Sequence, residues 1–158
     1  MFRLIPAPLH RIALRMAYRL RHHWRMLRGT PITGCSIIVR DFSGAILLMR
    51  HSYGPAVWAL PGGGIGVREE PEQAARRELR EETGLEAAEL LLVTVIEEAI
   101  SGSPHCCHLF SAISHGHARP DGREVIDARF FPPHSLPEPL SLHTRHGLTL
   151  WREWMRSQ

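Results

Sequence analysis

The sequence predicts an α/β (α+β) sandwich in which a mixed β-sheet lies between helices. Two observations carry this. Short apolar runs of strand character recur from Ile32 to Phe131, separated by turn residues. Helical periodicity occurs in three places: near the N-terminus, after the glycine loop and at the end of the chain. The 158 residues suit one domain with a sizeable core, and 44% hydrophobic with 22% charged residues is an ordinary globular composition.

The first helix is expected over residues 8–28. Leu9, Ile12, Ala13, Met16, Leu20, Trp24 and Leu27 recur near a 3.6 period, and arginines fill much of the rest. Gly29 and Pro31 end it. We therefore divide the chain into a basic amphipathic arm, residues 1–30, and a main domain, residues 31–158. The arm is too charged to span a bilayer and lacks the uncharged run of a signal peptide. Packing on the body or on a second subunit, as in a homodimer, is its favoured role. An anionic membrane surface and RNA are weaker alternatives. Strands are expected over Ile32–Arg40, Ala45–Arg50, Glu89–Ala99, His105–Ser114 and Val125–Phe131. Helices are expected over residues 71–83 and 141–157, the latter packing through Leu148, Leu150, Trp151 and Trp154.

Charge is unevenly spread. The first forty residues hold eight Arg and no acid; the remainder holds eleven Arg against sixteen acids, a balance of −5. Lysine is absent, which excludes a Walker-type phosphate loop and a lysine Schiff base. The three cysteines are too few and too ill-spaced for a disulfide framework, so a reducing cytoplasm is expected.

Residues 63–85 carry the chemistry. Pro71 suits a first helical position, and Gly84 suits a left-handed C-terminal cap. Within that helix Glu78, Glu81 and Glu82 stand at i, i+3 and i+4 and share one face. Three carboxylates in one turn repel one another, so helix propensity does not explain them. A divalent cation does: carboxylates are hard oxygen ligands suited to Mg²⁺ or Mn²⁺. The preceding Pro61-Gly62-Gly63-Gly64 lets the backbone approach a metal or phosphate closely. Ala75 and Leu79 offer a separate apolar stripe for docking to a core.

Gly63, Glu69, Arg77-Glu78-Leu79, Glu81-Glu82 and Gly84-Leu85 match the Nudix box at every fixed position. The chain resembles the Nudix hydrolase superfamily over roughly residues 32–140. The resemblance implies a Nudix-type α/β/α sandwich and hydrolysis of a nucleoside diphosphate linked to another group. It implies that Glu78, Glu81, Glu82 and the Gly62 carbonyl are metal ligands, and that Glu69 and Arg77 form a pair that orients them. An acidic residue beyond the box often joins the cluster in similar proteins, and Glu124 is the candidate. The general base stays open, with Glu81 and Glu124 both eligible. ADP-ribose, a nucleoside triphosphate and a sugar nucleotide all stay open as substrates. A non-catalytic nucleotide-binding sensor module is the rival reading; such a module would be expected to lose box carboxylates, and none is lost here.

Outside the box, His105-Cys106-Cys107-His108 has metal-ligand composition but strand character, so His105 and Cys107 share one face and Cys106 and His108 the other. A plain strand is the favoured reading, ahead of a zinc site or a Cys–His pair. One of Glu97 and Glu98 should face the interior or the cleft. Asp121 and Asp127 are weaker ligand candidates. Trp58, Tyr53 and Phe110 are candidates for stacking on a base.

Overall fold

The computed structural model describes residues 32–100, 103–120 and 122–158. The expected helix over residues 8–28, and Asp121, lie outside them. Six strands form one sheet: β1 (Ile32–Arg40), β2 (Ile46–His51), β3 (Gly62–Gly64), β4 (Ala87–Ile100), β5 (Ser103–Ser114) and β6 (Val125–Phe131). Among the described residues two helices, α1 (Pro71–Thr83) and α2 (Leu142–Arg156), accompany it. The main path runs β4-β5-β1-β2-β6, and β3 pairs with β1. β1 and β5 run parallel and the other pairs antiparallel, so the sheet is mixed.

Side-chain alternation along the central strands divides the core into two layers. Cys35, Ile37 and Val39 of β1, Leu47 of β2, and Phe110 and Ala112 of β5 meet Ala74, Ala75 and Leu79 of α1. Ile38, Ile46, Leu48, Cys107 and Leu109 point the other way and meet Leu148 and Trp151 of α2. Strands buried on both faces read as continuous apolar runs, which is why Ser36–Val39 and Ala45–Met49 are buried throughout.

α1 begins at Pro71, whose missing N–H costs nothing there. It ends where Gly84, at φ 70°, takes the left-handed conformation and donates its N–H to the Arg80 carbonyl. α2 starts at Ser141, whose side chain accepts from the Thr144 N–H. Thr144 in turn accepts a hydrogen bond from the Leu60 N–H (3.1 Å). That contact couples α2 to the chain just before the glycine strand.

β1 and β2 pair only at Arg40 and Ile46 and then diverge. The gap is filled from Ala59 onward. Met49 and Ala59 exchange both backbone hydrogen bonds at 2.9 Å, Ile37 N–H donates to Pro61 O (2.9 Å), and β3 then pairs with Gly34–Ser36. The glycine segment expected as a loop is thus a strand. Its propensity for β structure is poor, and unpaired backbone groups in the opened sheet supply the pairing instead.

Leu79 is fully buried where α1 meets the sheet. Leu79→Ala should destabilise the fold by about 2–5 kcal/mol, read as a lower denaturant midpoint at unchanged slope. A change below 1 kcal/mol would contradict this account of the core.

Candidate active site

α1 presents its carboxylates to the glycine strand in graded environments. Glu82 is 6% exposed, and its Oε2 accepts the Gly62 N–H at 3.0 Å. Glu78 is half-buried against β3. Glu81, one turn away on the outer side, is exposed. The expected common face is present, but burial falls steeply across it, because the strand covers one side only.

Glycine is required at two points of this contact. Gly62 has φ 148°, and a Cβ there would stand 2.1 Å from the Cys35 carbonyl oxygen. A Cβ on Gly63 would stand 2.5 Å from the carboxyl carbon of Glu78. A side chain at Gly62 would force β3 away from β1, and one at Gly63 would force the strand and the Glu78 carboxylate apart.

Arg77 holds the assembly closed. Its Nε and Nη2 donate to the two oxygens of Glu69 (2.8 and 3.0 Å), and Nη1 donates to Glu78 (2.7 Å). Nη2 also reaches the Gly64 carbonyl (3.1 Å), and Nη1 lies 3.4 Å from Glu81. Glu69 further accepts the Gly66 N–H at 2.8 Å. The turn between them sets Arg68 at φ 67°, a conformation that a side chain rarely adopts. Hydrogen bonds from Arg77, then from Gly66, hold the Glu69 pKa down to about 2 from an ordinary 4.5. Burial pushes the Glu78 carboxyl up; Arg77 pulls it back, and the charges of Glu81 and Glu124 add to the rise.

The last effect places Glu124 within electrostatic reach of the helix carboxylates. Glu124 precedes β6, its carbonyl accepts the Ser52 N–H (2.8 Å), and its carboxylate accepts the Tyr53 hydroxyl (2.7 Å). Tyr53 therefore orients Glu124, a partner no local pattern could reveal. Asp127 is engaged by Arg129 at 2.7–2.8 Å instead. Phe110 is 4% exposed in the core, and Trp58 packs edge-on against Phe131, so both are packing residues.

The donor set that the resemblance implies, carboxylate oxygen plus the Gly62 carbonyl, fits a hard divalent cation and no soft one. Among the described residues no three His, Cys, Asp or Glu side chains already converge on one point. The carboxylates are instead held by donors of the chain, Glu82 by Gly62 and Glu78 by Arg77.

A second constellation lies on the α2 side of the same strand. Thr33–Ser36, Gly62–Gly64, His105, Cys107 and His143 line a recess of about 300 Å³. His143 Nδ1 lies 2.8 Å from Glu98 Oε1, and Nε2 lies 3.3 Å from Ser36 Oγ and 3.4 Å from Cys107 Sγ. A carboxylate only accepts, so in the neutral ring Nδ1 bears the proton and Nε2 offers a lone pair. His105 and Cys107 do share a face, and Glu98 is the member of its pair that turns inward. Sequence spacing missed the convergence because Ser36, Glu98, Cys107 and His143 come from four elements. Burial raises the Cys107 thiol pKa, and it raises Cys35 to about 11, so neither is a ready thiolate.

Because the Glu69 pKa is depressed, its ion pair supports the folded state above about pH 4.5 and loses that support as pH falls toward 2. The melting temperature of the native chain should fall more steeply across this window than that of Glu69→Gln. Parallel acid limbs would refute the Arg77 clamp.

The NUDIX domain family matches residues 30–150. A Bacillus subtilis (strain 168) protein provisionally named 8-oxo-dGTP diphosphatase is 35% identical over 105 residues, covering 66% of this chain and 68% of its own. An RNA pyrophosphohydrolase of Teredinibacter turnerae is 43% identical over 61 residues, 39% of this chain and 36% of that protein, so the chain matches only about a third of that relative. The crystal structure of a MutT NUDIX hydrolase from Burkholderia pseudomallei superimposes with a TM-score of 0.69 at 28% identity, covering 76% of this chain and 97% of that one. With its box intact, its sheet in this order and the family match spanning both, the chain belongs to the Nudix hydrolase family.

Proposed function

We propose that the protein is a Mg²⁺-dependent hydrolase, with Mn²⁺ as an alternative ion, that cleaves the phosphoanhydride bond of a nucleoside diphosphate derivative by attack of water on phosphorus. The observation that carries this reading is the α1 carboxylate face, closed on the glycine strand by Arg77, with the Glu124 charge acting on Glu78. Glu78, Glu81, Glu82, Glu124 and the Gly62 carbonyl are the proposed ligands. A bound Mg²⁺ would supply charge neutralisation for the phosphate oxygens and a more acidic water. The chain's own part is to set the carboxylates against β3, to hold Glu78 and Glu69 through Arg77, and to keep Glu124 oriented through Tyr53. Glu81 is exposed and Glu124 is half-buried, so both can take the proton from the attacking water.

The recess beside β3 suits the part of the substrate that is not cleaved. It shares Gly62–Gly64 with the carboxylate site, and Ser36 and His143 offer polar atoms within it. Such a substrate is a small nucleotide, and a cytoplasmic setting accords with three free cysteines. Among the described residues no helix is long and apolar enough to cross a membrane. The sensor-module reading finds no support in the retained carboxylates.

The test is turnover with Mg²⁺ across 8-oxo-dGTP, ordinary nucleoside triphosphates, ADP-ribose, a sugar nucleotide and an RNA bearing a 5′ triphosphate. Glu82→Gln keeps an acceptor for the Gly62 N–H and should lower kcat on the order of 10³-fold with the fold intact. Near-native turnover in that variant would overturn the ligand assignment. Nucleotide binding without any turnover by the native chain would instead favour the sensor module. His143→Ala should raise KM about tenfold and leave kcat within a few-fold, as loss of uniform binding does. An equal loss in kcat alone would remove the recess from substrate binding.

A further inference from the structure

Among the described residues β4 is the edge of the sheet, since it pairs only with β5. Its centre, Leu90-Leu91-Leu92-Val93-Thr94-Val95-Ile96, has high strand propensity and neither charge nor proline. Leu92 is 51% exposed and Val95 41%. Pairing puts Leu92 beside Phe110 and Val95 beside His108, on the sheet face that α1 covers. α1 stops short of them. Between its first turn and the hairpin lies a groove of about 650 Å³, floored by Leu92, His108 and Phe110 and rimmed by Glu70, Glu72 and Arg76.

The rim is acidic. Arg76 is occupied by Glu72 at 3.0 Å and by the Ala87 carbonyl at 2.8 Å. Glu70 and Glu97 are exposed and form no ion pair among the described residues. Glu97 pairs with Cys106 and so adjoins the groove on the same face. A second copy suits this edge poorly. β4 carries Glu89, Glu97 and Glu98 and no base. An antiparallel copy centred on Val93 would set Glu89 opposite Glu97, and like charges directly opposite destabilise a strand pair.

The chain carries a better complement. Residues 8–28 combine an apolar stripe with six Arg and no acid, and as a helix would be about 31 Å long. The segment ends close to the groove. Ile32 pairs with His105, and His105 with Glu98, so the chain joins the sheet one residue from Glu97. Gly29–Pro31 span up to about 10 Å, and His108 lies three residues along β5, about 10 Å away. We infer that residues 8–28 dock over the exposed apolar face of β4, the stripe meeting Leu92 and Val95 and the arginines meeting Glu70 and Glu97. The arm thereby covers a sheet edge that would otherwise recruit other chains.

The absence of lysine gives a direct test on the full chain. Arg15→Lys, Arg19→Lys and Arg25→Lys, made singly, each place one lysine amine on the arm for zero-length carbodiimide coupling. Amide links from these positions to Glu70, Glu72 or Glu97 within one chain are expected. Links only to other carboxylates, or only between isotopically distinct copies in a mixed sample, overturn the inference. Leu92→Asp should expose the arm, raising the rate of tryptic cleavage within residues 8–28 about tenfold while circular dichroism stays native. Equal cleavage in both chains overturns it, as does an arm protected only when phosphatidylserine vesicles are added.

Discussion

The Arg77 guanidinium is the interaction on which the site depends. Three carboxylates within one helical turn repel one another, and a helix so charged has no reason by itself to lie against a strand. Arg77 supplies the counter-charge and the geometry together. Its planar donors engage Glu69, Glu78 and the Gly64 carbonyl at once, which fixes the intervening turn to the helix. A lysine could neutralise the same charge but could not span these acceptors, because an ammonium has no planar fork.

The clamp works only because the sheet is open where it closes. β1 and β2 separate after one paired position, and the chain from Ala59 to Gly64 enters the gap. That segment is held from both sides: by Met49 and Ile37 in the sheet, and by the Thr144 hydroxyl at the start of α2. Glycine at 62 then lets β3 lie close against β1, and glycine at 63 lets Glu78 come up against the backbone. One strand therefore serves two chemistries. Its α1 side carries the carboxylates of the proposed cation site, and its α2 side opens on the recess of Ser36, Cys107 and His143.

Burial then divides like residues into unlike roles. Glu82 is enclosed and bonded, Glu78 is partly enclosed with its pKa pushed up, and Glu81 stays in solvent. Burial, with the charges of Glu81 and Glu124 adding to it, raises Glu78, so a cation held there as proposed would favour its deprotonated form. Glu81 lies in solvent, and the half-buried Glu124 is held by the Tyr53 hydroxyl.

The sequence by itself determined what depends on neighbouring residues. Pro71 and Gly84 bound α1 at the expected positions, because the missing N–H and the left-handed cap act within one turn. The box spacing named Glu69, Arg77, Glu78, Glu81 and Glu82, and strand alternation put His105 and Cys107 on one face. Tertiary structure decided what depends on residues far apart in the chain. Glycine has little strand propensity, so β3 is a strand only because the divergence of β1 and β2 leaves backbone groups for it to pair. Phe110 reads as a stacking surface until α1 covers it. Glu124 meets Tyr53, and His143 meets Glu98, across 71 and 45 residues. No periodicity encodes such contacts, since strand order and packing set them rather than local conformational preference.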